Sequence, residues 1–146
     1  MISSIYLETD DLEALNLRLQ AKYRRIEEAE QRCELYQAED AEVLLVGYGI
    51  SGRLARTAVD ELRARGIRAG LLRPITLFPF PVNELRRLRA KQLIAVEMSC
   101  GQMIDDVKLA INCDRPVHLI NRMGGNIPGT GEIVERTIKL ISAEEK

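Results

Sequence analysis

Val43-Leu44-Leu45-Val46-Gly47-Tyr48-Gly49-Ile50-Ser51-Gly52-Arg53 is the stretch on which the fold turns. Its first part is an unbroken apolar run with β-branched residues, the pattern of a strand covered on both faces. Glycines then turn the chain tightly into a helix over 51–65, with Leu54, Ala58, Val59 and Leu62 inward and Gly66 as its stop. The same unit recurs downstream. Strands are expected over 67–72, 93–98 and 116–120. Helices are expected through Leu85 and Leu88 and over 102–112, the latter with Met103, Val107, Ala110 and Ile111 inward. A last helix, capped by Thr130, carries Val134, Ile138 and Ile141. Alternating strands and helices imply a four-stranded, mostly parallel sheet with helices on both faces, a three-layer α/β/α domain. In such sheets ligands and partners meet the loops at the carboxyl ends of the strands, here residues 48–52, 73–81, 99–102 and 121–129.

Upstream, one long helix is expected over 10–37. Asp10-Asp11-Leu12-Glu13 has the form of a capping box. Leu12, Leu15, Leu19, Ile26, Ala29, Cys33 and Tyr36 follow at alternating three- and four-residue steps, with a charged face opposite. Such a stripe serves as a coiled-coil seam, a docking face for a partner or a strap on its own domain. The period breaks at Ala38-Glu39-Asp40-Ala41, which divides the chain into a lead-in helix, 1–41, and an α/β domain, 42–146. Within the α/β domain, Pro74 to Pro81 holds three prolines in eight residues, a stiff and extended connection.

Bulk properties exclude several classes. The net charge is −1 with 29% charged residues, so no one-sided field draws nucleic acid or an anionic membrane. No apolar run approaches the roughly 18 residues of a membrane span, and the chain start lacks the pattern of a signal peptide. A cytoplasmic protein is expected. Cys33, Cys100 and Cys113 are too few and too widely spaced for a disulfide framework or an iron–sulfur cluster, and His118 is the single histidine. No metal site and no catalytic residue is expected. Ser51 and His118 have no third member of a nucleophilic triad in view, and His118 reads as a core or edge residue of its strand.

Gly47-Tyr48-Gly49-Ile50-Ser51-Gly52 is a literal GxGxxG between a strand and a helix, the setting of a dinucleotide-binding turn. The acidic residue expected at the end of the next strand is absent, and Arg73-Pro74 stands there instead. Two readings stay open: a tight structural turn, or an NADP-binding loop formed by Gly47, Gly49 and Gly52 with Arg73 facing the 2′-phosphate.

Four segments together resemble a known family. They are Gly49-Ile50-Ser51-Gly52-Arg53; Gly66-Ile67-Arg68 leading to Leu72-Arg73-Pro74-Ile75-Thr76-Leu77-Phe78-Pro79-Phe80-Pro81; Glu97-Met98-Ser99-Cys100-Gly101-Gln102-Met103; and Arg122-Met123-Gly124-Gly125. In order and spacing they are similar to the C-terminal, transketolase-C-like domain of the α-type subunit of 2-oxoacid:ferredoxin oxidoreductases, of the 2-oxoisovalerate (branched-chain) type. The resemblance extends into the lead-in helix, including Leu17 to Tyr23 and Glu34 to Gln37. It departs at Ser99-Cys100, where Asn-Ala or Asn-Leu is usual, and at Asn126 to Gly129, where a run ending in Pro-Thr-Pro is common. The resemblance implies an enzyme using thiamine diphosphate, Mg²⁺, iron–sulfur clusters and coenzyme A to turn a 2-oxoacid into an acyl-CoA, CO2 and reduced ferredoxin. It also implies that the thiamine diphosphate, the Mg²⁺ and the iron–sulfur clusters are held elsewhere in the enzyme. This chain would then be a domain inactive alone, with Met1 as a boundary rather than a natural start. Its partners would be other domains and subunits, ferredoxin through the complex, and a second copy through the helix stripe.

The residues at the functional edge each carry two readings. Glu97 is either a polar contact in the assembled enzyme or a carboxylate fixed by backbone donors of its own loop. Gly101-Gln102 opens a helix whose free N–H groups suit an anion or a partner carbonyl, or is a plain helix start. Arg73 and Arg122 would hold coenzyme A phosphates or form ion pairs. Gly49 and Ser51 join them as candidates for coenzyme A or interface contact. Gly124-Gly125 serves to turn the backbone.

Overall fold

The structure, a computed structural model, describes residues 5–144; the chain start at Met1 lies outside them. The chain runs α1 (Thr9–Ala29), β1 (Cys33–Tyr36), β2 (Val43–Val46), α2 (Gly49–Ala64), β3 (Ala69–Pro74), α3 (Val82–Arg87), β4 (Gln92–Glu97), α4 (Met103–Ala110), β5 (Val117–Asn121) and α5 (Thr130–Glu144). The sheet has the order β1-β3-β2-β4-β5. β3, β2, β4 and β5 are parallel, and β1 pairs antiparallel with β3 in the register Cys33 to Pro74 and Tyr36 to Leu71.

The expected three layers are present. On one face, α3 and α4 bring Leu85, Leu88, Met103 and Val107 onto Leu44, Val46, Leu72, Leu93 and Ala95. On the other, α2 and α5 bring Ala55, Val59, Leu62, Ile133 and Val134 onto Val43, Leu45, Leu71, Ile94 and Val96. Every residue of β2 is buried, as its unbroken apolar run requires for a central strand with helices on both sides.

Counting only the parallel strands, β4 adds beside β2 rather than beyond β3. The order of the four is therefore second, first, third, fourth. Chain direction away from the centre reverses between β2 and β4, and this switch point is where an open α/β sheet leaves a crevice.

Two expectations about the lead-in are corrected. The helix does not run to residue 37. It ends at Ala29, and residues 33–36 form a fifth strand. Cys33 and Leu35 pack against one face of the sheet and Tyr36 against the other, the twofold alternation of a strand. Over four residues that alternation is hard to tell from helical spacing, and the open edge of β3 decides the outcome by supplying hydrogen-bond partners. Nor does Asp10 cap the helix. Glu8 is the N-cap, without a side-chain hydrogen bond, and Asp10 and Asp11 lie in the first turn. Thr130 is likewise the first residue of α5 rather than its cap, since the Ile133 N–H donates to the Gly129 carbonyl. α1 buries none of its residues. Its described contacts include an edge-to-face pairing of Tyr23 with Phe78, centroids 6.3 Å apart.

Candidate functional site

At the switch point a cleft of about 380 Å³ opens between the turn after β2 and the loop after β4, lined by Tyr48, Gly49, Ile50 and Ser51 on one side and Glu97, Met98, Ser99 and Gln102 on the other. Four of the residues singled out in the sequence, Gly49, Ser51, Glu97 and Gln102, meet here. Gly101 sits in the loop at its wall with φ +113°; a Cβ there would lie 3.2 Å from Ile104 and 3.3 Å from Leu119.

Glu97 ends β4 and is only 4% exposed. Its carboxylate turns away from solvent to the start of α4. Oε2 accepts the N–H of Gln102 and of Met103, each at 3.1 Å, and Oε1 accepts the N–H of Ile104 at 3.2 Å. The Ser99 hydroxyl donates to Oε2 at 2.5 Å. A helix start leaves its first N–H groups without intrahelical partners, and one carboxylate here takes three of them at the positive end of the helix dipole. Asn121 ties the loop down from β5 by donating to the Ser99 carbonyl at 2.6 Å. Of the two readings of Glu97, the geometry supports the carboxylate held by its own loop. Gln102 is correspondingly a helix start whose N–H is already engaged.

Arg73 and Arg122 do not enter the cleft. They lie to either side, Arg73 on β3 and Arg122 just after β5, each paired with a carboxylate. Arg73 donates to Glu34 of β1 at 3.0 Å, and Arg122 donates to both oxygens of Glu132 in α5, at 3.1 and 3.0 Å. Glu34 also receives Arg56 at 2.8 Å, whose guanidinium lies 4.0 Å from the centroid of the Tyr36 ring. Ion pairs therefore occupy the two arginines considered for phosphate binding. His118 lies half-buried on the edge strand β5.

The glycine turn has a packing role. A Cβ on Gly52 would stand 2.7 Å from the Gly47 carbonyl oxygen, so the start of α2 presses directly on the end of β2, and only glycine allows it. The nicotinamide reading is set aside on three grounds. This contact accounts for Gly52, Arg73 is paired with Glu34, and the strand order is not that of a classic dinucleotide-binding sheet, in which the third strand lies beyond the second.

Sequence reading missed the apolar rim of the cleft. Tyr48 is 44% and Ile50 50% exposed, and Met98 also faces solvent. The available signal was position. Large apolar residues directly beyond buried strand ends have no core left to enter.

Asp106 sits in the first turn of α4, near Asp105 and Glu97. Partial burial, then the negative charges of Asp105 and Glu97, push its carboxyl above the usual carboxylate range. The folded state thus favours the protonated form. The resulting stabilisation is present below the ordinary carboxylate pKa and is lost as pH rises through the raised value. Asp106→Asn is therefore expected to raise the Tm at pH 7, with the gap closing below about pH 4. A gap of constant size from pH 3 to 7 would contradict the assignment.

Among the described residues, no three His, Cys, Asp or Glu side chains gather into a metal-binding group, and the three cysteines are free. The described residues thus do not fit an iron–sulfur cluster or a Mg²⁺–diphosphate site. No described helix is long and apolar enough to cross a membrane.

The family model for pyruvate:ferredoxin oxidoreductase core domain II matches residues 41–133. The chain belongs to this family. It is 52% identical over 146 residues to the ketoisovalerate oxidoreductase subunit VorB of Methanothermobacter marburgensis, an alignment covering 99% of the chain and 41% of that protein. The chain thus spans about two fifths of that relative's length. Among solved structures, the 2-oxoglutarate:ferredoxin oxidoreductase of Magnetococcus marinus superposes with a TM-score of 0.73 at 20% identity, over 92% of this chain and 24% of that one. A split-gene transketolase superposes with a TM-score of 0.59 at 20% identity, over 74% and 40%. These two likenesses bear out the transketolase-like α/β fold.

Proposed function

We propose that this core domain II chain is the C-terminal structural and interface domain of an α-type subunit of a 2-oxoisovalerate:ferredoxin oxidoreductase. The assembled enzyme converts the 2-oxoacid and coenzyme A to acyl-CoA and CO2, passing two electrons to ferredoxin. The observation that carries this reading is the 52% identity to a ketoisovalerate oxidoreductase subunit over 99% of the chain. In this reading thiamine diphosphate, Mg²⁺ and the iron–sulfur clusters are held by other parts of that enzyme. Ferredoxin is reached only through the complex, which operates in the cytoplasm.

The cleft supports an interface role in preference to catalysis by its own side chains. Glu97, its one carboxylate, is spent on the start of α4, and the rim is apolar. An exposed apolar rim around fixed backbone polar groups is how surfaces that meet other protein are made. Coenzyme A contact, if made at this edge, falls to the Gly49–Ser51 turn rather than to the paired arginines.

The test uses the complete subunit, co-expressed with its partner subunits. The double change Tyr48→Asp and Ile50→Asp should lower recovery of the complex, or 2-oxoisovalerate-dependent ferredoxin reduction, by about tenfold or more. The Tm of the 146-residue chain should hardly move. Unchanged assembly and turnover would remove the interface role. A kcat/KM for 2-oxoglutarate or pyruvate above that for 2-oxoisovalerate would remove the substrate assignment.

A further inference from the structure

One wall of the cleft at the switch point is the start of α2, and its hydrogen-bonding groups are not used. α2 runs 16 residues from Gly49, and its N-cap Tyr48 makes no side-chain hydrogen bond to it. Gly52 is the first residue of the helix whose N–H has an acceptor, the Tyr48 carbonyl at 3.1 Å. The N–H groups of Gly49, Ile50 and Ser51 therefore stand at the positive end of the helix dipole with no acceptor among the described residues. Ser51 is an independent sign. It is 4% exposed and lines the cleft, yet its hydroxyl has no hydrogen-bond partner among the described residues. The polar side-chain atoms that are wholly enclosed without a partner lie on Arg73, Gln92 and Thr137. The Ser51 hydroxyl is not one of them, so it reaches the open cleft. Buried polar groups in folded proteins are almost always partnered, and a hydroxyl left free at a cleft wall calls for a partner from outside the chain.

We propose, resting on the interface reading above, that the start of α2 and the Ser51 hydroxyl seat an acidic side chain, Asp or Glu, of the protein that covers this cleft in the assembled enzyme. The carboxylate accepts the hydroxyl and the free N–H groups of residues 49–51. Its methylenes and apolar neighbours lie on the exposed rim formed by Tyr48, Ile50 and Met98. The wall supplies donors and a partial positive charge but no cationic side chain, which suits one negative charge. A neutral carbonyl would leave the helix dipole unanswered. A phosphate dianion would bring a second charge towards the Glu97 carboxylate on the opposite wall.

The seat is tested on the 146-residue chain, labelled with 15N and titrated at constant ionic strength with butyrate, butyramide and inorganic phosphate. Butyrate should move the amides of residues 49–52 with a Kd below about 30 mM. Butyramide and phosphate should each bind about fivefold more weakly, and Ser51→Ala should weaken butyrate by about fivefold. The Tm of Ser51→Ala should hardly move, because the hydroxyl has no partner within the chain. Silence at these amides up to roughly 100 mM butyrate, tighter binding of phosphate, or a butyrate affinity unmoved by Ser51→Ala would each overturn the proposal. The occupant is tested in the complete subunit co-expressed with its partner subunits, where Ser51→Ala should raise the dissociation constant of the complex by about fivefold. The double change at Tyr48 and Ile50 reports on the interface reading separately. Assembly lost in the double variant but unchanged in Ser51→Ala would leave the interface standing and refute the seated side chain. Assembly unchanged in both, with butyrate still bound by the chain, would remove the interface and the protein occupant together.

Discussion

Replacing Gly70 by valine is expected to destabilise the domain by at least about 3 kcal/mol, a large share of the roughly 5–15 kcal/mol that holds a domain of this size folded. Gly70 is buried as the second residue of β3. A Cβ there would stand 2.6 Å from the Gln37 carbonyl oxygen, 2.8 Å from the Ala38 Cα and 2.9 Å from the Ala41 Cβ. Two of these three atoms are backbone, so no rotamer change relieves the contact. The segment between β1 and β2 crosses β3 at this point, with Ala38 and Ala41 themselves buried. A methyl group would lift it off the sheet. Strand propensity favours valine over glycine by at most about 1 kcal/mol, well short of the steric cost. Gly70→Ala should already lose about 2 kcal/mol. Gly131 is the internal control. It lies in the first turn of α5 with nothing within 4 Å of its would-be Cβ, and Gly131→Ala should be neutral or stabilising by up to about 1 kcal/mol. Urea titrations read all three. Equal midpoints for Gly70→Val and Gly131→Ala would show that the crossing segment gives way freely.

The contrast between β2 and β1 explains which parts of the fold were legible in the sequence. Val43 to Val46 could only be a central strand, because four apolar residues between polar boundaries have to be covered on both sides. The helices after it repeat their apolar positions often enough to fix both their existence and their inward faces, as Ala58, Val59, Leu62 and Val107 show by being fully buried. Cys33 to Tyr36 carries no such excess of signal. It has no β-branched residue, and its strand state is decided by the open edge of β3, a partner distant in sequence. Nor does local pattern encode on which side of β2 the strand β4 adds, since a right-handed crossover serves either choice.

The candidate site divides in the same way. Sequence placed Gly49, Ser51, Glu97 and Gln102 at one edge because they follow strand ends, and the sheet does bring them into one cleft. It placed Arg73 and Arg122 at that edge too, but could not see Glu34 and Glu132, which other elements contribute from 39 and 10 residues away. Gln92 passed unnoticed because a polar residue at the start of a strand looks solvent-exposed. Only the packed structure shows that its oxygen is buried without a donor.

Glu97→Ala should cost the domain about 3 kcal/mol or more and loosen the loop after β4. The carboxylate accepts three backbone N–H groups and one hydroxyl. Hydrogen bonds to a charged group contribute about 1.5–3 kcal/mol each in favourable cases, and a buried donor left unpaired costs about 1–3 kcal/mol. Simple addition would exceed the stability of the domain. Two effects bring the figure down. The neighbouring cleft admits water to the vacated space, and the four bonds share one anion and are not additive. Glu97→Gln separates charge from shape. Its amide oxygen can still accept, but its NH2 group must face at least one N–H donor, so an intermediate loss of about 1–2 kcal/mol is expected. Ser99→Ala removes only the hydroxyl donor and should cost about 1 kcal/mol or less. The order Ala, then Gln, then the serine variant, read from urea midpoints at constant m, is the signature of a carboxylate whose work is to hold the start of α4. A second signature is spatial. In Glu97→Ala, amide exchange should speed up first at Gln102, Met103 and Ile104, while the amides of β2, buried on both faces of the sheet, stay protected. Were the Ala variant as stable as the parent chain, with unchanged exchange at those three amides, the carboxylate would have to be assigned to contacts made only in the assembled enzyme.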